Sequence, residues 1–180
     1  MRRLRELIAA VREKYPSDDF FADFEHLCRI EPLIQRHYRS YNDAMMLLDE
    51  ESWNILRRKA IKHFPDERKG QRKEAFFNQL NEAFAYRYLL RRGCEKVRFI
   101  KEGKEKRPDI SFVDRGMQSY CEVKTIGISD NEITRRETRG IQDGGIYLNL
   151  SARVQNRLEQ TFAEHGHKFI LSDSMASFLF

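Results

Sequence analysis

In the stretch Pro108-Asp109-Ile110-Ser111-Phe112-Val113-Asp114-Arg115-Gly116-Met117-Gln118-Ser119-Tyr120-Cys121-Glu122-Val123-Lys124-Thr125-Ile126, two short alternating runs flank a turn. Ile110 to Val113 alternates as a strand, Asp114-Arg115-Gly116 marks a turn, and Tyr120 to Ile126 reads as the next strand. Residues two apart on a strand share a face, so Glu122 and Lys124 project together while Val123 turns into the core. If the two strands pair antiparallel across the turn, Asp109 comes to lie beside Glu122. Two carboxylates then converge on a point suited to a hard cation such as Mg²⁺, completed by phosphate oxygens and water. Such an ion lowers the pKa of a bound water and neutralises charge on a scissile phosphate. Lys124 is placed to orient or deprotonate that water, or to stabilise the charged transition state. The bland alternative is a solvent-facing Glu122–Lys124 salt bridge with Asp109 as a turn residue.

Upstream, the pattern from about Gln71 to Arg92 is helical, with Gly93 as its stop. Phe76, Leu80, Ala83 and Phe84 share one face, while Glu82, Ala85, Tyr86 and Leu89 gather on roughly the opposite one. A helix apolar on two sides is sandwiched, here between the N-terminal helices and a sheet. Glu82 among apolar neighbours is costly unless it is paired. Val97 to Ile100 is a short strand, and Lys101 to Arg107 is a charged connection. The N-terminal segment reads as helices over Arg2 to Lys14, Phe20 to Ile30 (capped by Ser17-Asp18-Asp19), and Pro32 to Tyr41. A further helix runs from an Asn42-Asp43 cap towards His63. Beyond the lysine strand, 127–145 reads as a long loop, Ser151 caps a helix to about His165, and Lys168 to Leu171 reads as a last strand. The order helix, three strands, helix, strand indicates an α/β core with mixed sheet pairing. The expected division is an N-terminal helical segment over 1–70 and a core over 71–180.

Pro108-Asp109, twelve intervening residues and Glu122-Val123-Lys124 resemble the motif of the PD-(D/E)XK nuclease superfamily. The resemblance spans about Gln71 to Leu171. It includes Glu82 in Asn81-Glu82-Ala83-Phe84, at the place where many members carry a glutamate on the helix before the first core strand. It implies a restriction-endonuclease-like mixed sheet flanked by helices, and catalytic roles for Glu82, Asp109, Glu122 and Lys124. It also implies a Mg²⁺ or Mn²⁺ cofactor at Asp109, Glu122 and Val123. RecB-like members add a Gln and a Tyr on the helix after the lysine. The helix at 151–165 has Gln155 and Gln160 without that Tyr, so no such branch is assigned.

Composition agrees with this direction. The net charge is +5, and between Trp53 and Arg107 there are 17 Lys or Arg against 7 Asp or Glu. A basic excess of this kind suits a polyanionic partner, although a solvated helix surface gives the same count. Arg91 and Arg92, after the Glu82 helix, and Arg135, Arg136 and Arg139, in the loop after the lysine, are the expected phosphate contacts. Cys28, Cys94 and Cys121 are too few and scattered for a disulfide framework or a zinc site, and read as buried hydrophobes in a reducing cytoplasm. The apolar run Leu7 to Val11 is too short for a signal peptide or a membrane span, so a cytoplasmic protein without a membrane partner is expected.

The expectation is therefore an endonuclease-type hydrolase cleaving nucleic acid, DNA in the first instance, through Mg²⁺-activated water. The rivals are a catalytically silent nucleic-acid-binding module and a protein-interaction domain of the same fold. A homodimer or partner protein would dock on the helical N-terminus or on the apolar Met175 to Phe180 run.

Overall fold

Five helices precede a three-stranded sheet in the computed structural model, which describes residues 1–66, 73–101, 103 and 107–124. All belong to one compact unit, Met1–Thr125. The helices are α1 (Arg2–Lys14), α2 (Phe24–Ile30), α3 (Pro32–Met45), α4 (Glu50–His63) and α5 (Glu74–Arg91). The strands are β1 (Glu95–Phe99), β2 (Ile110–Asp114) and β3 (Met117–Cys121), in spatial order β1-β2-β3 and antiparallel throughout. The protein is thus of mixed α and β class. The strand expected at 168–171, the helix at 151–165 and the loop at 127–145 lie outside the described residues.

Three helix boundaries differ from expectation, each because a side chain takes a particular backbone partner. Asn42-Asp43 does not start a helix: α3 runs through it to Met45. Asn42 is buried, and its Oδ1 accepts from the Leu4 amide, one of the otherwise unpaired donors in the first turn of α1. The cap of α4 is Asp49 instead, whose carboxylate accepts from the Ser52 amide at 2.7 Å. Similarly, Asp18 accepts from the Phe20 amide at 3.0 Å, and this side-chain turn delays α2 until Phe24. At the end of α3, the buried Arg3 donates to the carbonyls of Met45 and Leu48, matching cation to helix C-terminus.

Helix α5 is sandwiched as its two apolar faces require. It packs against α3 and α4 and also against β1. Phe76, Leu80 and Ala83 are buried, and so are Glu82, Tyr86 and Leu89 from the opposite face. Gly93, at φ 78°, closes the helix in the left-handed conformation, and the Cys94 amide reaches back to the Leu89 carbonyl at 3.0 Å. Ser52 then ties α4 to the sheet by accepting the Phe99 amide at 3.1 Å. Residues 1–66 are thereby joined to the first elements of the core. Among the described residues no helix is long and apolar enough to cross a membrane. Cys28 and Cys121 are buried and unpaired, as expected, whereas Cys94 is only half-buried.

The β2–β3 hairpin turns through Arg115 and Gly116 at φ 51° and 78°. Two consecutive positive φ values are what a two-residue hairpin of native twist needs. Its register pairs Ile110 with Cys121 and Asp114 with Met117. Strand β3 ends at Cys121, so Glu122-Val123-Lys124 lie beyond the strand expected over 120–126, of which Thr125 and Ile126 fall outside the described residues.

His37 on α3 is packed between Tyr41 at 5.1 Å, Tyr38 at 5.6 Å and Phe77 at 6.3 Å between ring centroids. Burial lowers its pKa below the ordinary 6.5. Between its lowered folded value and 6.5 the unfolded chain binds the extra proton, so stability is present above 6.5 and is lost as pH falls. Thermal unfolding at pH 7.5 and 5.5 is expected to show a lower Tm at 5.5, with a smaller difference in His37→Gln. An equal difference in the variant would refute the assignment.

Candidate functional site

The end of the sheet opposite the hairpin turn is where the site forms. Asp109 precedes β2, and its backbone extends the ladder on both sides. Its amide donates to the Cys121 carbonyl at 3.0 Å, and its carbonyl accepts the Ile100 amide at 2.8 Å. At the next rung the side chain takes over, with Oδ2 accepting the Val123 amide at 2.7 Å. This bond draws the chain off the regular ladder and explains why β3 stops before Glu122. Asp109 is therefore not a solvent-facing turn residue; its carboxylate shapes the segment that carries the other two motif residues.

Glu82 arrives from the middle of α5, buried at 6% exposure. Its Oε1 accepts a hydrogen bond from Lys59 Nζ at 2.6 Å. The same ammonium lies 3.7 Å from Asp109 Oδ1, an ion pair without a hydrogen bond. Both Lys59 and Glu82 side chains are about one-tenth exposed (11% and 8%), which makes this a buried pair. Two carboxylates from two different elements thus converge on one cationic point.

Lys59 was not among the residues expected at the site. The signal for it was available in the helix pattern. Ile55, Leu56 and Ala60 of α4 are buried, and Lys59 stands four residues after Ile55 and three after Leu56, on the same stripe. A cation on an apolar stripe requires an acidic partner, and Glu82 is the acid on an apolar face of α5.

Glu122 and Lys124 come together as the same-face argument expects, although outside a strand: Lys124 Nζ donates to Glu122 Oε1. Both are substantially exposed, at 35% and 49%, so this contact alone is what a surface salt bridge would give. Their proximity to Asp109 sets them apart. Burial, reinforced by the negative charges of Asp109 and Glu122, pushes the Cys121 thiol up to about 11. Both acids therefore bear on one side chain at the strand end. Val123 is half-buried rather than part of the core.

The chemistry of this donor set fits a hard divalent ion. Mg²⁺ is held by one or two carboxylates plus water and substrate oxygens rather than by an all-protein cage. Asp109 and Glu122, both near enough to Cys121 to raise its thiol pKa, supply such a pair, with Val123 between Glu122 and Lys124. Among the described residues no three His, Cys, Asp or Glu side chains are gathered as a metal-binding group; between Glu82 and Asp109 the cation is Lys59.

The expected phosphate contacts separate. Arg91 and Arg92 are exposed at the far end of α5, about 14 Å along the helix from Glu82. Arg92 donates to the Tyr88 hydroxyl at 3.3 Å and feels Asp114 at the hairpin turn. They are thus not brought to the carboxylate end. Arg135, Arg136 and Arg139 lie outside the described residues. A different basic surface does adjoin the site. Glu51, Asn54, Arg57, Arg58 and Lys101 line an open cleft of about 540 Å³. Arg58 precedes Lys59, and Lys101 follows the Ile100 that pairs with Asp109. Arg57 Nε is buried without a hydrogen-bond partner, 3.8 Å from Glu6.

Compared with protein-family models, with curated proteins and with solved structures, the chain finds no match.

Removing Lys59 leaves the Glu82 carboxylate buried without its ammonium. Lys59→Met is expected to cost about 3 kcal/mol in urea unfolding, the usual order for breaking a buried pair. Lys59→Met combined with Glu82→Leu should recover most of it, and additive losses would show that the pair is not coupled.

Proposed function

We propose that this chain is a metal-dependent nuclease on a restriction-endonuclease-like core, hydrolysing phosphodiester bonds in nucleic acid, with DNA as the first substrate to test. The observation that carries this reading is the convergence of Glu82 and Asp109 on one cationic point, beside the segment that presents Glu122 and Lys124. Asp109 and Glu122, with Val123, would hold Mg²⁺ or Mn²⁺, which supplies Lewis acidity towards phosphate and lowers the pKa of water.

The residues of the chain have separable roles in this proposal. Asp109 holds the 122–124 segment through the Val123 amide, which fixes Glu122 and Lys124 relative to the sheet. Lys124, half-exposed, is free enough to leave Glu122 for a substrate oxygen, where its charge would stabilise the transition state or its amine would orient the attacking water. Glu82, held by Lys59, keeps negative charge behind Asp109. Arg57, Arg58 and Lys101 offer cations to the phosphates flanking the scissile bond.

The test is cleavage of plasmid, linear duplex, single-stranded and branched DNA with Mg²⁺ or Mn²⁺ and with chelator. Metal-dependent cleavage is expected, reduced about a hundredfold or more in Glu122→Ala and in Lys124→Ala. Both variants should keep wild-type Tm, because an exposed pair contributes little. The double variant should be little slower than the worse single one, since the two groups serve one transition state. Binding without turnover would instead favour a silent binding module, and cleavage surviving in both variants at wild-type rate would sink the assignment.

Nucleic-acid affinity should also fall steeply between roughly 50 and 200 mM salt. Charge reversal at Arg57 and Arg58 should weaken binding more than reversal at Arg91 and Arg92, read by fluorescence anisotropy. The opposite ranking would place the substrate at the hairpin end.

A further inference from the structure

The position of Lys59 has a consequence for how many metal ions the site accepts. Nuclease sites with two metals hold them about 3.5–4 Å apart and share a carboxylate between them. Here Asp109 is the carboxylate placed to be shared. Its Oδ2 is engaged by the Val123 amide on the Glu122 side, and its Oδ1 faces the Lys59 ammonium on the Glu82 side. Lys59 Nζ reaches Glu82 at 2.6 Å and Asp109 at 3.7 Å, so it occupies the point where a second cation would bridge those acids. It is delivered there by α4, whose start is fixed to β1 by the Ser52–Phe99 bond and which packs along α5. Like charges a few ångströms apart in a partly buried site exclude one another strongly.

We infer that Lys59 is a resident counter-cation: it takes the place of a second metal ion between Glu82 and Asp109 and restricts the site to a single divalent ion on the Asp109–Glu122 side. This rests on the metal-dependent reading above. Lys59 does not touch the reacting phosphate in this arrangement; it is a positioning residue that sets the stoichiometry. A purely structural salt bridge would not affect how many ions the chain binds.

The experiment counts Mn²⁺ bound per full-length chain, by electron paramagnetic resonance of free Mn²⁺ and by calorimetry. Wild type is expected to bind one ion, Lys59→Gln two, and Lys59→Gln/Glu82→Gln one, because removing the acid removes the second seat. The discriminating quantity is the difference: Lys59→Gln must bind one ion more than wild type. Equal numbers would overturn the inference; one ion in each would leave the nuclease reading intact, and none in either would remove it as well. Wild type binding none while Lys59→Gln binds one would support the exchange at Lys59 and remove the metal reading of the Asp109–Glu122 side. If Lys59→Gln does not fold alone, Mn²⁺ should restore its native circular dichroism. It should not shift the circular dichroism of Lys59→Gln/Glu82→Gln, and failure to restore the single variant counts against the inference.

Discussion

The buried pair of Lys59 and Glu82 is the constraint around which the described residues are arranged. Taking an ammonium and a carboxylate out of water costs several kcal/mol per ion, and the attraction between them offsets this only in good geometry. That geometry requires α4 and α5 to lie side by side in one register, and several polar contacts around the start of α4 agree with it. Asp49 caps α4, Ser52 fastens its first turn to β1, and Tyr86 of α5 lies against the same Asp49 and Ser52. A slip of one helical turn would keep the apolar contacts roughly intact but leave two buried charges apart. Polar pairing thus fixes the register of α4 on α5, alongside the aromatic packing of Phe21, Tyr41 and Phe64 against Phe76 and Phe84 of α5.

The same pair marks the limit of what could be read from the chain. Periodicity located α1, α5, β2 and the hairpin turn, because each depends on neighbours within a few residues. Glu82 stands out as an acid on an apolar face and Lys59 as a cation on an apolar stripe, yet they lie 23 positions apart, and the helix pattern marks each without saying that the two meet. Asn42-Asp43 has the composition of a helix cap, but tertiary contact with Leu4 uses the Asn42 side chain and lets α3 continue. Glu122 and Lys124 were paired by strand alternation and are paired in the structure, through a segment that has already left the strand.

Charge shows the difference between counting and placing. The basic excess between Trp53 and Arg107 is a single number in the sequence, whereas the described arginines and lysines of that stretch lie in separate places. Arg91 and Arg92 sit at the end of α5, where Arg92 donates to the Tyr88 hydroxyl. Arg57 and Arg58 lie on α4 and Lys101 beyond β1, at the carboxylate end. The second group neighbours Lys59 and Ile100 in the chain, and its Lys101 is paired with Glu51 at 3.0 Å, so those cations offset nearby negative charge for an approaching phosphate.

Asp109 joins two duties in one side chain, since the oxygen that accepts the Val123 amide is attached to the same carbon as the oxygen facing Lys59. Truncation to alanine would release the 122–124 segment and remove a charge together, so its effect on chemistry could not be told from its effect on shape. Asparagine separates them, because its carbonyl oxygen can still accept the amide while the charge is gone. The two duties also decide how such a chain would decay if selection for chemistry were relaxed. Glu122 and Lys124, exposed and of little weight in stability, would drift first, whereas position 109 would stay Asp or Asn for the sake of the backbone it holds. A relative with Asn at 109 and neither acid nor lysine at 122 and 124 would be recognisable as one that kept the shape after losing the reaction.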